Sequence, residues 1–221
     1  MSDAHVKEKT EETAGKAMLQ VLEKEREYWE QFLRDRTPYN MRPPRVKLLS
    51  GKTTADALAE NGDVSYTVLT ACILSFEELK AVMAHEFCHI LKRHGRYYRL
   101  YKRTVSAVEV FFYTVLMASA FVEARFLFFY ASAICLFSAA NFLRFLYSWF
   151  SRSNERSADK YAADTVGPIA LARALVKLRK ANKTPHMQWW KEYLTMHPHH
   201  VRRLRYLRRW RDEKRNTGAV T

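Results

Sequence analysis

With 221 residues, the chain is long enough for one domain with a substantial core and short for two. Lys and Arg number 37 against 23 Asp and Glu, a formal charge of +14, so an anionic partner is expected: nucleic acid or a phospholipid surface. Three cysteines at unrelated spacings, Cys72, Cys88 and Cys135, argue against a disulfide framework and fit a reducing compartment.

The first sixteen residues are polar and contain no apolar core of a leader, so no signal peptide is predicted. Over 17–34, Met18, Val21, Leu22, Trp29, Phe32 and Leu33 fall on one helical stripe, with Glu and Lys opposite. This predicts an amphipathic N-terminal segment, 1–36, that packs on the domain, because its polar face is not predominantly cationic. Three prolines in "TPYNMRPPR", 37–45, end it. "VKLLS" and "VSYTVLTACI" then read as two strands, separated by a polar segment containing "ENGD". Ser75 and Glu78 form a capping box at the start of the next helix, and Gly95 is its expected terminator.

Two apolar stretches follow, Val105–Val122 and Phe126–Leu143, each of 18 residues with Glu109 as their one charge. At 1.5 Å per residue each is roughly 27 Å long, close to a bilayer's hydrocarbon core. The three residues between them allow only a tight reversal, so 104–150 is predicted to be a transmembrane helical hairpin. Two buried helices of a soluble core are the weaker reading, since helices apolar all round need burial on every side. Lys92, Arg93, Arg96, Arg99, Lys102 and Arg103 before the hairpin, and Arg144, Arg152, Arg156 and Lys160 after it, place both flanks in the cytoplasm. Tyr97, Tyr98, Tyr101, Tyr147 and Trp149 suit the interface. Glu109, four residues into its span, is expected near that interface. The basic excess thus has a membrane explanation, and nucleic acid becomes unnecessary.

The helix before the hairpin carries the chemistry. In "AVMAHEFCHILKRH", His85 and His89 stand one turn apart, so both rings project from one face and can share a metal ion. Glu86, beside the first, can accept a proton from a metal-bound water attacking a peptide carbonyl and pass it to the leaving amine. Roughly 0.02 chance occurrences of this H-E-x-x-H arrangement are expected in a chain of this composition, so an incidental histidine-rich helix is the poorer reading. Phe87 and Ile90 are expected to pack the opposite face. Cys88 sits roughly 60° and 100° round the helix from the two histidines and is read as a small buried apolar residue rather than a ligand.

After the hairpin, "SRSNERSADKYAADT" offers Glu155 as a third ligand and, one turn on, Asp159 to fix the tautomer of a ligand histidine. His89 and Glu155 are 66 positions apart, and removing 104–150 leaves 19, so the hairpin reads as an insertion into a metal site. Residues 37–103 and 151–221 would be the two parts of that catalytic domain. Pro168 opens a scaffold helix with Leu171, Leu175 and Leu178 on one side. The last segment sets Leu204, Leu207 and Trp210 among many arginines, and contact with anionic headgroups is preferred over RNA for it.

"HEFCH" on a helix, a membrane hairpin, "NERSAD" and "MHPHHVRRL", in that order, resemble the HtpX-type integral membrane zinc metalloproteases, whose wider family includes the CAAX prenyl proteases. The resemblance runs from about Val46 to Leu207. It implies an α+β, mostly helical, zincin-like catalytic domain with a small sheet. One Zn2+ would be held by His85, His89 and Glu155, with Glu86 as catalytic base and Asp159 behind the ligands. It also implies that His197 and Arg203 contact substrate or the developing oxyanion; His199 and His200 receive no role. The strand before the active-site helix, "DVSYTVLTACI", would be a sheet edge that takes up an extended substrate as a further strand. Two features depart from the pattern: Asp56, Ala57 and Leu58 stand where an Asn-Ala-Phe-like segment is usual, and no transmembrane helix is predicted ahead of the catalytic region.

The expected protein is therefore a multi-pass zinc metalloendopeptidase of the cell's inner or plasma membrane, facing the cytoplasm. Its substrates would be unfolded or membrane proteins in quality control. Alternatives are a prenyl-protein processing protease, which needs a lipid-accommodating chamber, and a silent metal-binding scaffold, for which Glu86 has no use.

Overall fold

A three-stranded sheet and the helices laid on it form one of two units, Met1–Leu91 with Tyr161–Lys183; the other comprises Lys92–Lys160 with Thr184–Thr221. The computed structural model describes residues 23–49, 53–119, 126–182 and 200–216. Its architecture is predominantly helical with this one small sheet, an α+β arrangement.

In the first unit, helix α1 spans residues 23–34 and buries Trp29, Phe32 and Leu33 of the predicted apolar stripe, while Met18, Val21 and Leu22 lie outside the described residues. Trp29 stacks on Phe76 with ring centroids 4.9 Å apart. Strand β1 (Val46–Leu49) runs parallel to β3 (Asp63–Thr67), and β2 (Ala57–Glu60) pairs antiparallel with β3 in the order β1-β3-β2. The β2–β3 turn is Asn61-Gly62, with φ of 53° and 87°. Two positive φ values in succession are what a two-residue hairpin turn requires, and Asn-Gly supplies them at low cost.

Two expectations are corrected here. The strand before the histidine helix is the centre of the sheet, not an edge: β1 and β2 flank it on both sides. That strand is also half as long as predicted, because Thr67 ends it and caps a short helix α2 (Val68–Ile73), accepting from the Thr70 N–H. The Thr67 hydroxyl donates to the Thr54 carbonyl and the Thr70 hydroxyl to that of Asp56, so local side-chain bonds defeat the β-branched signal of "TVLTACI".

Helix α3 (Phe76–Leu91) begins on the predicted capping box: the Ser75 N–H donates to Glu78 Oε2 at 2.8 Å, and the Glu78 N–H to Ser75 Oγ at 3.4 Å. Its end differs from the prediction. Gly95 lies inside the next helix, and Arg93, with φ of 53°, makes the break. Helix α6 (Pro168–Ala181) packs on α3 and is tied there by Lys177, whose ammonium donates to Glu78 Oε2 at 2.7 Å. Asn182 clamps Ala55, accepting its N–H at 2.8 Å and donating to its carbonyl at 2.7 Å.

The second unit is built on long helices: α4 (His94–Ser119), α5 (Phe126–Thr165), which contributes its residues up to Lys160, and α7 (His200–Asn216). Tyr101 stacks on Tyr147 at 3.9 Å, and Arg144 meets Glu109 at 3.6 Å, so Glu109 has a cationic partner and both side chains keep about half their surface in solvent. Residues 105–119 of the first predicted span lie in α4 and the second span lies in α5, but among the described residues no helix is long and apolar enough to cross a membrane. Helix α4 starts at His94, so its first three turns carry Arg96, Arg99, Lys102 and Arg103, while residues 120–125 lie outside the described residues. Helix α5 runs without a break through residue 150 into the polar, charged segment that follows.

Candidate metal centre

Capping fixes the start of α3, and apolar burial fixes its rotation. Leu79, Val82, Met83, Phe87 and Cys88 are buried, which aims His85 and His89 together along one strip. His85 is 5% exposed and His89 half-buried. Their Nε2 atoms lie 3.2 Å apart, with ring centroids at 4.9 Å and planes at 72°. Glu86 is half-buried beside them. Cys88 is fully buried, and Phe87 lies 6.3 Å from the Tyr161 ring, so both take the packing roles expected of them.

On α5, Glu155 (3% exposed) and Asp159 (fully buried) stand one turn apart on the same face. Two carboxylates so far from solvent need a cation, and Arg203 of α7 supplies it. Its Nε donates to both oxygens of Asp159, at 2.9 and 3.2 Å, and its Nη2 to Oδ1 at 2.5 Å. Its Nη1 reaches Glu155 Oε2 at 3.5 Å. The arginine that the resemblance assigned to substrate thus bridges the acidic pair, and the carboxylate predicted to orient a ligand histidine is spanned by that guanidinium. Between the two carboxylates in sequence, the Ser157 hydroxyl accepts from Lys92. His197 and His199 lie outside the described residues, and His200 opens α7.

As a group, His85, His89 and Glu155 each offer one donor atom, and these lie within 4.8 Å of one another. The donor set is that of a zinc site with an open position, two imidazoles and one carboxylate. The separation of the two ring nitrogens fits as well: donors about 2.0–2.1 Å from one tetrahedral zinc stand about 3.3 Å apart. These residues could hold a metal ion.

The bridging role of Arg203 was not read from the sequence. The signal was present in Glu155 and Asp159, an acidic pair at helical spacing beside the buried alanines 158, 162 and 163; such a face implies a buried cation. Which arginine of a segment holding many would supply it depends on how α7 packs, and spacing does not encode that.

The model of peptidase family M48 matches residues 25–211. The chain belongs to peptidase family M48. Among solved structures, it is similar to Ste24p of S. mikatae, with 21% identity and a TM-score of 0.54 over 81% of this chain and 49% of that one. It therefore shares that fold while spanning about half that protein's length. A comparison with curated proteins returned no match.

Proposed function

We propose that this M48 member is a zinc-dependent endopeptidase of HtpX type that works against a membrane, cleaving unfolded or misassembled membrane proteins. The observation that carries the reading is the cluster of His85, His89 and Glu155 with Glu86 on the same helix as the two histidines. Zinc, when bound, supplies a Lewis acid that polarises the scissile carbonyl and acidifies water. The protein supplies the rest. Glu86 accepts the proton of the attacking water and delivers it to the departing amine. Arg203 lies 3.5 Å from Glu155 Oε2 and restrains that carboxylate, and His197 is assigned to substrate as the resemblance implies.

With β3 in the centre, the strand available to an extended substrate is β2. The other edge strand, β1, is partly covered, since Glu30 accepts the Val46 N–H at 3.1 Å. Main-chain pairing along β2 would give affinity with little sequence preference, as quality control demands.

Support for the membrane comes from side chains that a water-facing helix would not display. On α4, Val110, Phe111, Tyr113 and Met117 are each at least 60% exposed, and on α5 Ile134, Phe137 and Phe142 likewise. Large apolar side chains exposed in such number on two helices support contact with lipid or protein, and by the positive-inside reading the catalytic residues face the cytoplasm.

Replacing Glu86 with Gln tests the assignment. The variant should keep one zinc per chain and lose cleavage of casein by roughly a hundredfold or more. Undiminished turnover would remove Glu86 from its role.

A further inference from the structure

Strand β2 turns the backbone groups of every second residue toward β3. The Thr67 N–H donates to the Asp56 carbonyl at 2.9 Å, and the Asp56 N–H donates to the Thr67 hydroxyl at 3.2 Å. The pairs Leu58↔Ser65 and Glu60↔Asp63 follow at two-residue steps. In an antiparallel ladder such positions alternate with ones that face away. Asp56, Leu58 and Glu60 therefore direct their N–H and C=O at β3, while Ala55, Ala57 and Ala59 direct theirs at the outer edge. The approach to the strand keeps this alternation: the Thr54 carbonyl turns inward and accepts from the Thr67 hydroxyl at 3.0 Å. At Ala55 the outer edge is already occupied. Asn182 Oδ1 accepts the Ala55 N–H at 2.8 Å, and Asn182 Nδ2 donates to the Ala55 carbonyl at 2.7 Å. A side-chain amide offers a donor and an acceptor as a peptide group does, so Asn182 makes at Ala55 the two bonds that a neighbouring strand would make.

We infer that Asn182 is the end-stop of the substrate edge, so that an extended peptide added to β2 pairs at Ala57 and Ala59 and stops there. The stop is set from outside the sheet. Asn182 caps the C-terminus of α6, its own N–H donating to the Leu178 carbonyl at 3.0 Å, and Lys177 ties α6 to Glu78 of α3. It therefore stands at a fixed place relative to the helix that carries His85 and His89. At the other end the chain leaves the strand at Asn61, where φ becomes 53°. The two outward positions are about 7 Å apart at roughly 3.4 Å per residue. Each of their carbonyls takes one substrate N–H, so the peptide backbone is read at two amides, two residues apart. The inference rests on the strand addition to β2 proposed above and sets where that pairing ends.

The zinc-loaded full chain carrying Glu86→Gln, in nonionic detergent, holds a peptide without turning it over. It is titrated with a short fluorescent casein peptide and with versions of that peptide N-methylated at one backbone amide each, and anisotropy gives Kd. Methylation should weaken binding about threefold or more at two amides, two residues apart. The amides two residues to either side of that pair should change Kd by less than about twofold. Adding Asn182→Ala, or Asn182→Gly to clear the whole side chain, should make a third amide sensitive, two residues beyond the pair, because the Ala55 backbone is released. A purely structural loss would weaken every peptide alike and add no sensitive amide. Three or more alternating sensitive amides with Asn182 intact overturn the end-stop and leave strand addition standing; so does a count of two in both Asn182 variants. No sensitive amide, or no binding, overturns strand addition on β2 and the end-stop with it. The scan with Asn182 intact decides the matter even where an Asn182 variant fails to fold.

Discussion

Arg203→Met removes the cation shared by two carboxylates that are 0% and 3% exposed. The bridge is close, with Asp159 contacts from 2.5 to 3.2 Å and Glu155 at 3.5 Å, and the arginine side chain is itself only 11% exposed. Solvent screening therefore removes little of its worth. Taking one partner from such a buried pair costs about 3–5 kcal/mol, chiefly because the remaining carboxylates are left desolvated and unanswered. Arg203→Lys keeps the charge but loses the fork, and should cost about 1–3 kcal/mol. The assay is urea unfolding of the detergent-solubilised, metal-free protein, for the parent, Arg203→Met, Asp159→Asn and the double variant. Because the two single changes disrupt one interaction, the double variant should be more stable than the sum of the singles implies by about 2 kcal/mol or more. Zinc affinity of Arg203→Met should fall roughly 10–100-fold as Glu155 loses its support. Strict additivity in the cycle, with zinc affinity unchanged, would refute the bridge as the device that positions Glu155.

Glu155→Ala should lower zinc content well below one per chain, measured by metal analysis after dialysis; full occupancy would pass the third-ligand role to another residue. Burial pushes the Glu78 carboxyl up, but the Lys177 ammonium and the Ser75 groups outweigh it and hold the carboxyl below its ordinary value. The stability this provides is present above the unfolded-state pKa and is lost as pH falls through the lowered folded-state value. Lys177→Met should therefore cost about 1–2 kcal/mol at pH 7, discounted because Lys177 is 45% exposed, and progressively less on acidification below about pH 4.5; a pH-independent loss would contradict the assignment. Gly62→Ala meets no atom within 4 Å yet must hold φ near 87°, so thermal unfolding should register a loss of about 1 kcal/mol from backbone strain alone. An unchanged midpoint would mean that the turn rearranges freely.

The histidine helix was legible because its signals agree: a capping box, an apolar stripe and two imidazoles at i and i+4 each require the same helix in the same rotation. Glu155 could be read as well, being an acid one helical insertion away from a pair that lacked a third donor. What the sequence concealed is mostly topological. Strand β2, "ALAE", contains no β-branched or aromatic residue; only the Asn61-Gly62 turn beside it pointed to a hairpin. Without that strand in view, nothing opposed the edge position that the resemblance implied for β3. At Thr67 and Thr70 the β-branched side chains that suggest a strand instead bond to backbone and stop one. The resemblance set Arg203 apart for substrate, but nothing in the run of arginines marked its pairing with Asp159, which follows from which face of α7 is buried, as Leu207 is, one turn further on.

The proposed enzyme needs one metal ion held by His85, His89 and Glu155 with a coordination position left open. Zinc K-edge absorption spectroscopy of the purified, zinc-loaded protein tests this most directly. It should show about one zinc per chain with two imidazole nitrogens and oxygen donors near 2.0–2.2 Å, and loss of one oxygen donor or of the metal in Glu155→Ala. A sulfur shell near 2.3 Å, which would bring in Cys88, or four protein donors that persist in Glu155→Ala, would contradict it.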